Sequence, residues 1–343
     1  MSILVIAAAI AGSAIHVSKR TIRPGDVGAM STLVHVQGAS PSKGDFYLLT
    51  VAVGNHDLNL FEEFWAKRQS DTEIVNTKDL LGGLSDTEDR CLSQYEMVDA
   101  EAAAQLAAAD VLGIDVKHVK RTVVVLQLVP KMPAAAVLEV CDVITAIDGQ
   151  EVSAPADVTK YVRAHEPGDT AEITVRRSGA ERTFDVKVGQ FENKDGTKRP
   201  GIGVSPIGIV RPDSLPLGVE INPDQVTGPS GGLGFTLEII DQLTEGDLTG
   251  GKHIAVTGTI SADGNVGAIG GARLKAIAAR RAGTDYMITP TEDASDARKG
   301  AGNMKVYAVS TLDQALALLR KHGGAPIPKA VPKNIPEPTP AAP

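Results

Sequence analysis

The stretch from Thr227 to Gly283 constrains this chain more than any other, because two glycine-rich turns within it each open a helix. The first turn is Gly228-Pro229-Ser230-Gly231-Gly232, and after it Leu233, Leu237 and Ile240 recur at the period of a helix burying one face. Ser230 therefore stands at a helix N-terminus, where unpaired backbone N–H groups and the helix dipole favour negative charge. An oxyanion hole needs that geometry. The second turn, Gly270-Gly271, opens a helix that carries Lys275 and that Gly283 closes. No acid–histidine pair stands beside Ser230 in sequence, but a lysine amine held neutral can take a serine proton. Lysine ordinarily titrates at about 10.4, so a base near neutral pH needs a shift of about 2 units, roughly 3 kcal/mol, which burial can supply. Leu274, Ile277 and Ala278 on the same helix are expected to bury Lys275.

Other readings of the same residues are weaker. Gly228-Pro229-Ser230-Gly231-Gly232 satisfies G-x-S-x-G, the turn of an α/β-hydrolase esterase, but Asn222-Pro223-Asp224-Gln225 precedes it where an apolar strand is required. That enzyme also needs a downstream histidine, and only His253 and His322 remain. A plain capping serine is the other alternative. Gly232-Leu233-Gly234-Phe235 spells the carboxylate-binding signature of PDZ domains, but a helical period follows it at once, so it reads as coincidence. Asp241, Glu245 and Asp247 read as a solvated helix end. The histidines form no H-E-x-x-H pattern, so no metal ligand is expected, and no G-x-x-x-x-G-K-[ST] phosphate loop occurs. No cofactor is expected.

The GPSGG turn, the Leu-Thr-Glu-Gly-Asp-Leu-Thr-Gly-Gly run from Leu243, Thr257-Gly258-Thr259-Ile260, the Gly264–Gly271 turn and the lysine helix together resemble the proteolytic domain of Lon-type serine proteases. The whole chain resembles the PDZ–Lon family, membrane-anchored bacterial proteases without an ATPase. The resemblance implies a Ser–Lys dyad at Ser230 and Lys275, with Gly228, Pro229 and Gly231 shaping the turn. It also implies that the Thr257 hydroxyl helps to orient the lysine, and that ring-like homo-oligomers form. Two positions depart from many relatives, Thr227 before Gly-Pro-Ser and Gly231-Gly232 after it, and the extra glycine is expected to loosen the turn.

Upstream, Met132-Pro133-Ala134-Ala135 and Asp142–Gly149 are similar to bacterial PDZ domains. Such a domain adds an extended peptide to a sheet edge, and the expected groove strand is Val123, Val124, Val125, Leu126 and Gln127. Cys141 stands where relatives usually have glycine. Cys91 and Cys141 have no metal-ligand spacing and make no disulfide framework.

The fold class expected is α+β and multidomain. Residues 1–17 form a membrane segment, 18–116 an α/β membrane-proximal spacer, 117–190 a PDZ-like domain, 200–322 the Lon-type proteolytic domain, and 323–343 a disordered tail with seven prolines from Ala325 on. Residues Ser2–Val17 carry no charge, but as a helix they span only about 24 Å against a hydrocarbon core of about 30 Å. Lys19, Arg20 and Arg23 just beyond would keep the downstream side cytoplasmic. The resemblance implies the opposite, a protease domain outside the cytoplasm, and that is the expectation adopted. A net charge of −8 and 3% aromatic residues exclude a nucleic-acid surface, which needs concentrated cations and stacking rings. The function expected is an ATP-independent serine endopeptidase that cuts exposed or unfolded segments of membrane-proximal or secreted proteins. The alternatives are a non-catalytic PDZ adaptor on a Lon-like fold, or the esterase.

Overall fold

The computed structural model describes residues 13–39, 42–116, 119–192, 196, 198–223 and 226–327. Most of the expected membrane segment and of the Pro-rich tail lies outside the described residues. The chain divides into two units, one of residues 1–86, 100–116 and 215–343, the other of 87–99 and 117–214.

The first elements are β1 (Lys19–Ala29), β2 (Val34–Val36), β3 (Asp45–Val53), α1 (Leu60–Ala66), β4 (Glu73–Asn76), α2 (Thr77–Leu81) and α3 (Asp86–Leu112). Then follow β5 (Arg121–Leu128), β6 (Val143–Ile147), β7 (Gln150–Glu151), α4 (Pro155–Val162), β8 (Thr170–Arg177), β9 (Ala180–Lys187), β10 (Gly189–Glu192), β11 (Lys198–Gly201) and β12 (Val204–Val210). The last third holds β13 (Val219–Ile221), α5 (Gly232–Leu243), β14 (His253–Val256), β15 (Thr259–Ile260), β16 (Val266–Gly267), α6 (Ala272–Arg281), β17 (Tyr286–Pro290), α7 (Ala294–Ala301), β18 (Lys305–Val309) and α8 (Leu312–Lys321).

The first unit is built on a six-stranded sheet in the order β18-β17-β14-β3-β1-β4. Strands β3, β14, β17 and β18 run parallel, β1 runs antiparallel to β3, and β4 pairs antiparallel with β1 at the far edge. Successive side chains of a strand face opposite ways, so the two faces pack against different helices. On one face Leu49, Ala255 and Met287 meet Ala272, Ala276 and Ala279 of α6 and Ala297 and Ala301 of α7. On the other, Val256 and Leu48 lie under α5 and the turn before it, where Gly234 and Gly231 have no room for a side chain against Met30 and Leu48.

Strands β1, β3 and β4 belong to the region expected as a separate spacer over 18–116. That expectation is corrected by the sheet: Phe46 pairs with Ile254 and Leu48 with Val256, so β3 is the inner neighbour of β14. Residues 71–90 contain β4, α2 and the start of α3. The expected solvated helix end is corrected for Asp241 alone, since Glu245 is exposed. Asp241 is buried and accepts from Leu248 N at 2.7 Å, because the turn after α5 folds back over it.

The second unit is an antiparallel sheet in the order β12-β5-β6-β8-β9, with β7 beside β6. Its core gathers Val123, Val125, Ile144, Ile147, Ile173 and Val175 with Val158 and Val162 of α4. Arg177 clamps the turn before β6 by donating from Nε and Nη2 to the buried Asp142 carboxylate at 2.7 and 2.6 Å. Next to it Cys141 holds φ at 75°, a left-handed conformation that explains glycine elsewhere. Cys141 is joined to Cys91 in a disulfide with a Cα–Cα separation of 6.3 Å. Sequence spacing alone did not suggest that pair.

Candidate active site and peptide groove

The serine turn is held from below by hydrogen bonds from Thr257 and Gly258. Gly228 takes φ 87°, beyond the reach of most side chains, and delivers the chain into a short 3-10 turn, Pro229–Gly231. The Ser230 carbonyl accepts from Gly258 N at 2.9 Å and from Thr257 Oγ1 at 3.2 Å. Leu233 N in turn donates to Gly258 O at 3.0 Å. A Cβ on Gly231 would come within 2.9 Å of Leu48, and one on Gly232 within 2.9 Å of Ile260. Both glycines have helical angles, so they serve close approach.

Thr257 and Gly258 interrupt what reads in sequence as one strand from Ile254 to Ile260, separating β14 from β15. Gly258 has φ 154°, and the break turns the completely buried Thr257 toward the start of α6. Lys275 lies in the first turn of that helix and is 3% exposed. Its Nζ is 2.6 Å from Ser230 Oγ and 3.2 Å from Thr257 Oγ1. One hydroxyl thus serves two ends: Thr257 Oγ1 donates to the Ser230 carbonyl and accepts from Lys275. Ser230, Thr257 and Lys275 converge where β14 ends and helices from opposite faces of the sheet begin. Burial lowers the Lys275 amine to about 8, since a charged ammonium there would lose its hydration, and the Asp293 carboxylate acts weakly against this.

Asp293 and Asp296 were not singled out from sequence. Asp293 accepts from Ile269 N at 2.9 Å and Asp296 from Arg273 N at 3.0 Å, so both hold the entrance to α6. Gly271, in the cap position, has no side chain to do so. His253 and His322, needed by the esterase reading, have Tyr47 and Tyr307 as side-chain partners at 3.2 and 2.8 Å.

Residues 222–320 match the family model of the Lon protease (S16) C-terminal proteolytic domain, and residues 110–188 match that of the PDZ domain. The chain carries a Lon-type serine protease domain and a PDZ domain. Among curated relatives, the Lon protease of Haemophilus influenzae is 35% identical over 101 residues, which are 27% of this chain and 12% of that protein. The Lon protease of Roseiflexus castenholzii is 40% identical over 72 residues, 21% of this chain and 9% of that protein. A probable periplasmic serine endoprotease, DegP-like, of Rhizobium meliloti is 33% identical over 103 residues, 29% of this chain and 19% of that protein. The chain thus spans less than a fifth of the length of these relatives. The PDZ domain of the SdrC-like protein from Listeria monocytogenes is 32% identical, with a TM-score of 0.24, covering 27% of this chain and 94% of that structure.

In the PDZ domain the structure corrects the expected groove strand. Val123 and Val124 lie on β5, which pairs with β12 on one side and β6 on the other, and Val125, Leu126 and Gln127 continue the same inner strand. An added peptide needs an unpaired edge, and β5 has none over Val123 and Val124. Among the described residues β12 and β9 are the two edges, and β12 is the one with a cleft beside it. Between β12 and α4 lies a cleft of about 190 Å³ lined by Val158, Val162, Gly203 and Val204, with Arg163 and Arg199 at its rim. Gly201-Ile202-Gly203-Val204 runs directly into β12, and Gly203 takes φ 88°. That four-letter pattern, glycines followed by a strand, is the signal the sequence reading missed while it weighed Gly232–Phe235. Those residues form the buried first turn of α5.

Proposed function

We propose that this chain is an ATP-independent endopeptidase in which Ser230 attacks the peptide carbonyl and Lys275 acts as general base. The observation that carries this reading is the buried lysine amine 2.6 Å from the serine oxygen, with its pKa lowered to about 8. Neutral Lys275 takes the Ser230 proton as the Oγ–C bond forms, then gives it to the leaving amine. Water hydrolyses the acyl-enzyme by the same route in reverse. Thr257 holds the ammonium that forms, and backbone N–H groups of the serine turn face the oxyanion.

Substrates are exposed or unfolded segments, since the sequence has no phosphate loop with which to drive unfolding. The cleft between β12 and α4 selects them by adding a peptide to the β12 edge, with Gly201–Val204 offering backbone N–H groups to a carboxylate. The protein is anchored in the membrane by its uncharged N-terminal segment, with the protease outside the cytoplasm. The Cys91–Cys141 disulfide supports that side, because such bonds persist in oxidising compartments. No helix among the described residues is long and apolar enough to cross a membrane, so the anchoring rests on residues 2–17.

The test is cleavage of an unfolded protein such as casein by the full chain, with and without ATP–Mg²⁺. Activity is expected without nucleotide, and Ser230→Ala is expected to abolish it. A strict ATP requirement, or full activity in Ser230→Ala, overturns the reading.

A further inference from the structure

Helix α1 is built inside out for a protein in water. Leu60, Phe61, Phe64 and Trp65 are 40%, 48%, 49% and 51% exposed, whereas Glu63 on the same helix is 7% exposed. Glu63 is held inward by Lys19 at 2.8 Å and Lys67 at 3.0 Å. An amphipathic helix on a soluble surface turns the other way, apolar residues in and carboxylates out. The reversal is not a weakly specified end, since Asn59 and Glu62 close a full capping box that sets the rotation of the helix. Arg68 lies 3.4 Å from the Phe64 ring centroid, and Val53 alongside is 46% exposed. The whole chain has six Phe and one Trp, and three of these seven rings stand together on one outward face.

The position of this face supplies its occupant. The uncharged segment Ser2–Val17 ends directly against α1: Val17 N donates to Leu58 O at 2.8 Å, and Leu60 N to Ile15 O at 3.1 Å. Ile15 itself is 54% exposed. We propose that the α1 face lies in the headgroup layer of the bilayer and orients the protein on it. Phe61, Phe64 and Trp65 enter the boundary with the acyl chains, and Arg68, over the Phe64 ring, lies at the depth of the phosphates. Aromatic rings concentrate at that depth, and Lys and Arg stems reach outward from it. Sixteen residues without Asp, Glu, Lys or Arg fall short of a full crossing as a helix, and an interfacial helix beside them adds apolar contact at the entry point. The inference rests on the membrane anchoring proposed above.

Trp65 is the sole tryptophan, so its fluorescence reports on this face alone. The full chain is mixed with phosphatidylcholine vesicles and floated on a density gradient. The bound fraction is then measured with lipids brominated either near the headgroup or near the chain end. Expected are flotation, a blue-shifted Trp65 emission, and stronger quenching by the shallow bromine. The double variant Phe61→Ser/Phe64→Ser should lose most of that quenching, several-fold, and still cleave a soluble peptide. Protein that floats while Trp65 stays open to aqueous iodide and untouched by bromine overturns the inference and leaves the anchor standing. So does floating protein with Trp65 shielded from both, which places another protein surface there, or quenched more by the deep label. Protein that does not float overturns the anchoring and this inference together.

Discussion

Lys275 is the residue whose chemistry depends most on its surroundings, and its titration gives a direct test. If the neutral amine is the reacting form, kcat/KM should rise with pH through about 8 and level off above it, because the base form appears as the proton leaves. Lys275→Arg keeps the charge but cannot deprotonate at working pH, so single-turnover cleavage should fall on the order of 10³-fold in that variant. Activity within about tenfold of the parent would assign the proton to another group. Asp293→Asn should move the midpoint to lower pH, since the Asp293 carboxylate favours the charged lysine. An unchanged midpoint would show that this carboxylate acts on position alone. Ser230, Thr257 and Lys275 were legible in sequence because each sits in a short glycine-marked motif beside a helix or strand. Asp293 and Asp296 were not, since they reach the lysine helix from α7, and nothing local to them announces a role.

Among the elements, α5 couples the site to a buried carboxylate. Glu238 is 3% exposed and accepts from Gln242 Nε2 at 2.7 Å, with Asp241 on its own helix and Asp45 of β3 adding like charge. Burial first, and those charges after it, push its carboxyl up to about 7 from an ordinary 4.5. A carboxyl raised in the folded state contributes stability below its unfolded pKa, and loses it as pH rises through the folded value. Between pH of about 4.5 and 7 the proteolytic unit should therefore lose up to about 3 kcal/mol from this group, and Glu238→Gln should flatten the slope. Urea unfolding across that range checks it; an equal slope in the variant would remove Glu238 from the account. Helical and strand periods made α5, α6 and β5 readable. Strand β1 was not, because Lys19-Arg20 and Pro24-Gly25-Asp26 hide it and its register shifts between Pro24 and Val27.

At the scale of the whole molecule, sequence motifs and folding unit do not coincide. The Lon-type match covers 222–320, and the sequence reading placed the domain at 200–322, yet β14 has β3 as its inner neighbour and β1 and β4 beyond. Pairing between residues 46 and 254 leaves no trace in local pattern, which is why the first part of the chain read as a spacer. A fragment of residues 200–322 would leave the Ile254–Val256 edge unpaired and remove Leu49 from beneath α6, and Leu48 from beneath the serine turn. Uncovering a central parallel strand exposes both backbone groups and apolar side chains, a loss larger than the few kcal/mol by which a domain of this size is stable. That fragment should therefore show no cooperative thermal transition by circular dichroism and no peptide cleavage. A chain retaining residues 13–116 and 215–327, with a flexible linker in place of 117–214, should melt cooperatively and cut small peptides. It should also lose discrimination among protein substrates, which would show as a higher KM with kcat little changed. Cooperative melting with full activity in the short fragment would mean that β1, β3 and β4 only lean on a domain complete without them.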